Sequence, residues 1–227
     1  QMCIRDRLYI NEYSAANFDS YQDNYGEYED WIEIYNASAV AIDLNGYYLT
    51  DKVSNPTKWQ IPSSFIVPPN SVIVIFCSGR DEVIGTSAHS NFKITQTKGN
   101  EVIMISDPSQ VLLDSVTIRP NIKTHSRGRE TDGSSIWSVF VTPTPNASNI
   151  GALLEYAPTP VFSIPPGYYT GSAQVAITCS DPTATIHYTL DGTRPDNNSP
   201  IYTVPITFTQ TTVAVSYTHL TLPTNGC

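Results

Sequence analysis

The chain has 227 residues with 17 prolines, 12 glycines and 11% aromatics, yet only 15% of its side chains are charged, against about 25% in an average soluble protein. Acids outnumber bases 21 to 12, a formal net charge of −9, which argues against a nucleic-acid scaffold because phosphate binding needs a basic stripe. A 40% hydrophobic content argues against simple disorder, and no apolar run approaches the ~20 residues of a membrane-spanning helix.

The two ends differ from the rest. Gln1–Arg7 (QMCIRDR) and Ser216–Cys227 (SYTHLTLPTNGC) join strand-like segments without a cap or turn. Both strings resemble translated sequencing-adapter read-through of the kind met in proteins from metagenomic assemblies, so residues 1–7 and 216–227 are set aside as one sets aside tags. On that expectation Cys3 and Cys227 drop out and Cys77 and Cys179 remain as two free, buried thiols. The chain is then an internal piece of a longer protein, and the lack of a signal peptide carries no information.

Strand signals dominate: short β-branched or aromatic runs bounded by Gly, Pro, Asn and Asp. In chain order they fall at Leu8–Tyr13, Trp31–Tyr35, Tyr47–Thr50, Val72–Cys77, Val102–Ser106 and Val111–Ile118. The consecutive apolar residues of Val72–Phe76 and Val102–Ile105 suit central strands covered on both faces. Only Asn149–Tyr156 has the composition for two helical turns, stopped by Pro158.

Composition shifts near residue 143. Eleven of the 17 prolines lie from Pro143 onward, and Arg194 is the only Lys or Arg after Arg129. The flanks of Thr142–Pro160 have linker chemistry. Beyond it the strands alternate: in Thr185–Leu190, Ile186, Tyr188 and Leu190 share one face, which places His187 with the threonines on the solvated face. Domain limits follow at 8–149 and 158–215, joined by a linker at 150–157. The fold class is all-β, with two sandwiches in tandem and the second truncated.

The first domain carries Ile10–Tyr13 (INEY), Asp30–Asn36 (DWIEIYN), Ile42–Asp51 (IDLNGYYLTD), Lys58–Ile61 (KWQI), Ser126–Arg129 (SRGR) and Thr142–Asn149 (TPTPNASN), in that order. This series resembles the lamin tail domain in its secreted bacterial form, over about residues 8–149, by order and spacing more than by any single motif. The resemblance implies an immunoglobulin-like sandwich in which Trp31, Trp59 and Trp137 fill core and Gly46 makes a turn. In the second domain, Tyr188–Pro195 (YTLDGTRP) and Pro200–Tyr202 (PIY) resemble the chitobiase/β-hexosaminidase C-terminal-type module, over about 158–215. Asp191-Gly192 after a strand is a hairpin-turn signal. The family resemblance implies an appendage of larger secreted proteins, without catalytic residues of its own.

The catalytic inventory is empty. There is no nucleophile elbow, phosphate loop or dinucleotide fingerprint, and the four histidines lack the spacing of a helical metal site. No cofactor is implied. Arg127 and Arg129 around Gly128 are read as strand-end structure, and the glycosylation sequons at Asn36, Asn146 and Asn197 are idle if the source is bacterial.

Phe18–Asp30 (FDSYQDNYGEYED) is the most unusual segment. Its tyrosines Tyr21, Tyr25 and Tyr28 suit a binding loop, since they offer rigid amphipathic contact area. Asp19, Asp23, Glu27 and Asp30 are candidate calcium ligands, although the segment fails the calcium-hand template because Tyr25 and Tyr21 fall where oxygen ligands are needed. The alternative is a solvated insert between two strands.

The expected function is a non-catalytic extracellular scaffold, adhesion or spacer region of a larger secreted bacterial protein. Its partner is an unknown protein or glycan at the cell surface, with no nucleic acid and no membrane span. The rival is an accessory region of a secreted enzyme, either a spore-coat-protein-H-like kinase or a glycoside hydrolase. A chromatin-binding lamina role is weak, because the chain lacks rod heptads and is acidic.

Overall fold

A computed structural model describes residues 8–153 and 155–219. The chain divides into two compact units, 1–155 and 156–227, and among the described residues every regular element is a strand.

The first unit contains β1 (Leu8–Ser14), β2 (Trp31–Asn36), β3 (Ile42–Asp43), β4 (Tyr48–Thr50), β5 (Trp59–Gln60), β6 (Ile66–Val67), β7 (Ser71–Phe76), β8 (Glu82–Ile84), β9 (Ser87–His89), β10 (Val102–Ser106), β11 (Leu112–Thr117), β12 (Ser126–Arg129) and β13 (Trp137–Phe140). Seven strands form one sheet in the order β13-β12-β1-β2-β7-β9-β8, and four form a second in the order β11-β10-β4-β5. Pairing is antiparallel except for β7 with β9. Leu8, Ile10, Ile32, Ile34 and Ile75 of the large sheet meet Leu49, Trp59, Ile103 and Ile105 of the small one in a single core. Trp31 and Trp59 are fully buried, whereas Trp137 is half-buried and packs on the core edge against Tyr13. Gly46 sits at φ +83°, a left-handed turn position that costs glycine nothing.

The large sheet is covered on its outer face as well. Trp31, Val74 and Phe76 form a separate cluster there, packed against Tyr21. The apolar run of β7 thus has both faces covered over its second half. Within the apolar run of β10 only Ile103 and Ile105 are buried, while Val102 and Met104 are half-buried, so that run is covered on one face.

The 149–156 stretch forms no helix. Leu153 exchanges backbone hydrogen bonds with Val139 (2.8 and 2.9 Å), and Glu155 takes a bidentate grip from Arg127 (2.8 and 2.9 Å). Long-range pairing overrides a weak local preference, and the first unit therefore extends to residue 155 rather than 149.

The second unit contains β14 (Val161–Phe162), β15 (Ala173–Val175), β16 (Ile177–Thr178), β17 (Thr185–Thr189), β18 (Ile206–Phe208) and β19 (Val215–His219). They pair as β14-β16, β15-β18 and β17-β19. Residues 1–7 and 220–227 lie outside the described residues, but residues 216–219 belong to β19 and align with β17 over the register Thr185↔His219 to Thr189↔Val215. Thr218 is buried, and its hydroxyl donates to the Pro158 carbonyl at 2.5 Å. Around Asp191-Gly192 the chain makes a broad return rather than a two-residue hairpin. Ile201 bridges His187, and Gly192 takes φ +81°.

His187 is buried, contrary to its expected place on the solvated face. Residues 199–202 run alongside β17, and an imidazole nitrogen (Nδ1) lies 2.8 Å from the Ser199 carbonyl oxygen, so the ring is satisfied inside. Cys77 is buried and free; Cys179 is free but only half-buried.

Candidate functional site

A buried, hydrogen-bonded polar network lies on the outer face of the large sheet. A bulge in β1 shifts the register between Ile10 and Glu12, so that Ile10 pairs with Ile34 but Glu12 pairs with Glu33. One extra residue lets Asn11 and Glu12 both face the outer side of the sheet, and Asn11, Glu12 and Glu33 are all 0% exposed.

Each carboxyl is met by donors from the TPTPNASN segment. Glu12 accepts from the Ser126 hydroxyl, from the Thr144 amide (3.1 Å) and from the Thr144 hydroxyl (2.7 Å). Glu33 accepts from Asn11 Nδ2 (2.9 Å) and from the Asn146 amide (2.8 Å). Asn146 reaches that position with φ 59°, which Asn tolerates better than most residues. Asn149 closes the segment, its side-chain amide donating to the carbonyls of Arg129 (2.6 Å) and Asn11 (3.3 Å). Burial pushes both carboxyls up, Glu33 to about 9, against the pull of the Asn11 amide. At neutral pH Glu33 is therefore a neutral acid.

Gly128 lies beneath this network. A Cβ there would stand 2.9 Å from the Phe140 ring and 3.0 Å from both Asn149 Nδ2 and Glu12 Cγ. The flanking arginines are buried and tied to the fold. Arg127 holds Glu155 and the Pro120 carbonyl; Arg129 holds Asp114 (2.7 Å) and the Ile10 carbonyl (2.8 Å).

The 18–30 segment is a cover for the same face rather than a free insert. Tyr21 stacks on Phe76 at 5.6 Å, meets Trp31 edge-on at 6.3 Å, and its hydroxyl accepts from the Asn146 side-chain amide. Tyr25 is 47% exposed, lies under the Arg80 guanidinium at 4.3 Å, and donates to Glu82 at 2.7 Å. Tyr28 is 43% exposed. The three tyrosines do not form one surface: Tyr21 faces the sheet, whereas Tyr25 and Tyr28 face water.

The four candidate calcium ligands are likewise dispersed. Asp19 is exposed. Asp23 is buried, one oxygen accepting from the amides of Tyr25 (2.8 Å) and Glu27 (2.9 Å), the other without a hydrogen-bond partner among the described residues. Glu27 pairs with Arg80. Asp30 accepts from the Asn17 amide (3.0 Å), and burial pushes its carboxyl to about 6. No group of three or more His, Cys, Asp or Glu among the described residues is arranged to hold a metal ion.

His89 anchors the loop. One ring nitrogen (Nδ1) lies 3.0 Å from the Ser78 hydroxyl, and the other (Nε2) lies 2.6 Å from Asn24 Oδ1 of the loop. Burial lowers the His89 pKa, which keeps the ring neutral and bonded. Cys77, next to Ser78, is fully buried and its thiol is pushed up, which removes its nucleophilic character.

The second unit holds a cleft of about 670 Å3 between the Pro165–Tyr169 turn and the residues that follow β18. Tyr168 there is wholly exposed. Its mark in the sequence is two adjacent tyrosines after Pro165-Pro166-Gly167 in a stretch without charge.

These features define a class: tandem immunoglobulin-like β-modules in which the buried ionisable groups of the first unit secure loops onto a sheet. A Lamin Tail Domain family profile matches residues 5–120, and a Chitobiase/beta-hexosaminidase C-terminal domain profile matches residues 164–218. The chain belongs to the lamin tail domain family and carries the chitobiase/β-hexosaminidase C-terminal-type module after it. Modules of these families are accessory rather than catalytic domains, often of glycoside hydrolases or extracellular proteins. No curated protein matches the chain. No helix among the described residues is long and apolar enough to cross a membrane.

Proposed function

We propose that this chain is a non-catalytic accessory region of a secreted or cell-surface bacterial protein, holding that protein to an extracellular polymer or partner. The observation that carries the reading is the use of the buried ionisable groups. Glu12, Glu33, Arg127, Arg129 and His89 each close a strand, a loop or the TPTPNASN segment. Catalysis needs such groups aimed at a bound substrate. Co-sedimentation of the full chain with insoluble chitin, cellulose and peptidoglycan tests the adhesive part. Retention on one of them supports it, and complete recovery in the supernatant leaves only a spacer.

A second reading is favoured by the chitobiase/β-hexosaminidase C-terminal match at residues 164–218: the two units serve a secreted enzyme, either a glycoside hydrolase or a kinase-like protein. The adjoining reading frame tests it. A catalytic domain there supports the reading, whereas only a sorting or anchoring segment contradicts it.

A further inference from the structure

We propose that the cleft of the second unit binds a neutral polysaccharide chain, with Tyr168 as the platform on which a sugar ring stacks. The proposal rests on the extracellular-adhesion reading and gives it a site and a ligand class. A cleft of about 670 Å3 lies within the ~300–1,000 Å3 range of small-molecule sites. Phe162, Val175 and Phe208 supply apolar lining, and Val175 is buried beneath it.

Charge selects the ligand. No Asp, Glu, Lys, Arg or His lines the cleft, and the whole stretch 156–219 holds only Asp181, Asp191, Asp196 and Arg194 as charged side chains. An anionic polymer finds no countercharge there, and neither does a charged peptide. The polar lining is instead Thr209, Gln210, Thr211 and Thr212. Threonine hydroxyls both donate and accept, and the glutamine amide does the same through its two atoms. Sugar hydroxyls need that dual capacity. A polyproline peptide, the other ligand for aromatic grooves, offers only acceptors.

The turn that carries Tyr168 is braced. The Tyr169 hydroxyl donates to the Pro165 carbonyl at 2.6 Å, and Pro165 and Pro166 fix their own φ angles, so little ordering remains to be done on binding. Tyr168 beside them is 106% exposed, and no hydrogen bond or ring contact among the described residues occupies its ring. Its apolar ring faces are free to cover the C–H face of a pyranose.

Titration calorimetry of the full chain with cellohexaose, chitohexaose and maltohexaose, beside the Tyr168→Ala variant, tests the site. The expected result is saturable binding of at least one hexasaccharide, weakened about tenfold or more in Y168A, with unchanged circular dichroism and melting temperature. Three results overturn the proposal: no saturable heat with any of the three, equal binding by Y168A, or Tyr168-dependent binding of a proline decamer. Binding that survives Tyr168→Ala removes the cleft while leaving adhesion standing. Hexasaccharide returned in shortened form removes the non-catalytic reading while leaving the cleft.

Discussion

Glu12 on β1 and Glu33 on β2 are direct cross-strand partners, and neither exposes any surface to solvent. Two carboxylates opposed in this way destabilise a sheet if both are ionised. The fold answers with a proton, the Glu33 carboxyl being pushed to about 9 by burial and further by Glu12. The donors of Thr144 and Asn146 then lay the post-β13 segment across the pair.

The protonated pair makes stability pH-dependent with a definite sign. Glu33 titrates near 4.5 when unfolded and near 9 when folded. Its contribution is complete below about pH 4.5 and is lost as pH rises towards 9, by about 1.4 kcal/mol per unit. His89 and His125, both lowered, act with the opposite sign below about 6.5, and Asp30, at about 6, has lost its share by then. Between pH 6.5 and 9 stability is therefore expected to fall. Glu33→Gln should flatten that slope in urea melts, and an unchanged slope contradicts the assignment.

Gly128→Ala should cost about 1–3 kcal/mol, the usual range for overpacking a filled core. The added carbon meets Phe140, Asn149 and Glu12 at 3.0 Å or less, so the loss should appear with reduced amide-exchange protection at Asn146 and Asn149. A neutral substitution would mean that the segment does not close over Gly128.

The three tyrosines of the covering loop should separate by effect. Tyr21→Ala strips the half-buried ring from Trp31 and Phe76 and should cost about 2 kcal/mol, roughly half the value for a fully buried aromatic. Tyr28→Ala, at an exposed position, should stay within about 0.5 kcal/mol. Denaturant midpoints decide, and equal effects would contradict a loop that docks through Tyr21.

Calcium should leave the melting temperature unchanged to within about 1 °C at millimolar concentration. Four of the loop's five acids already have separate partners, backbone amides at Asp23 and Asp30, Arg80 at Glu27 and Lys93 at Glu29, and Asp19 is exposed. A saturable rise that disappears in Asp23→Asn would contradict this.

The five longest strands of the first unit, β1, β2, β7, β10 and β11, and the short β4 are legible as runs of β-branched and aromatic residues, since each is set by local pattern. The outer cover is not. Whether Phe18–Asp30 is solvated or docked depends on Tyr21 finding Phe76 and Asn146, contacts between residues far apart in sequence. Asn11 in INEY carries no local mark of a bulge, so the burial of Glu12 was hidden. Trp31, Glu33 and Tyr35 do alternate onto one face, and a glutamate between two aromatics was the available hint. The burial of His187 is not legible because alternation names two faces without saying which one residues 199–202 will run beside.

The most direct measurement is mass spectrometry of a hexasaccharide incubated with the full chain under conditions where calorimetry shows it bound. Accessory binding predicts that the hexasaccharide is recovered intact and unmodified in full yield after many binding lifetimes. Shortened or covalently altered sugar, produced in proportion to the amount of chain, would contradict a non-catalytic role.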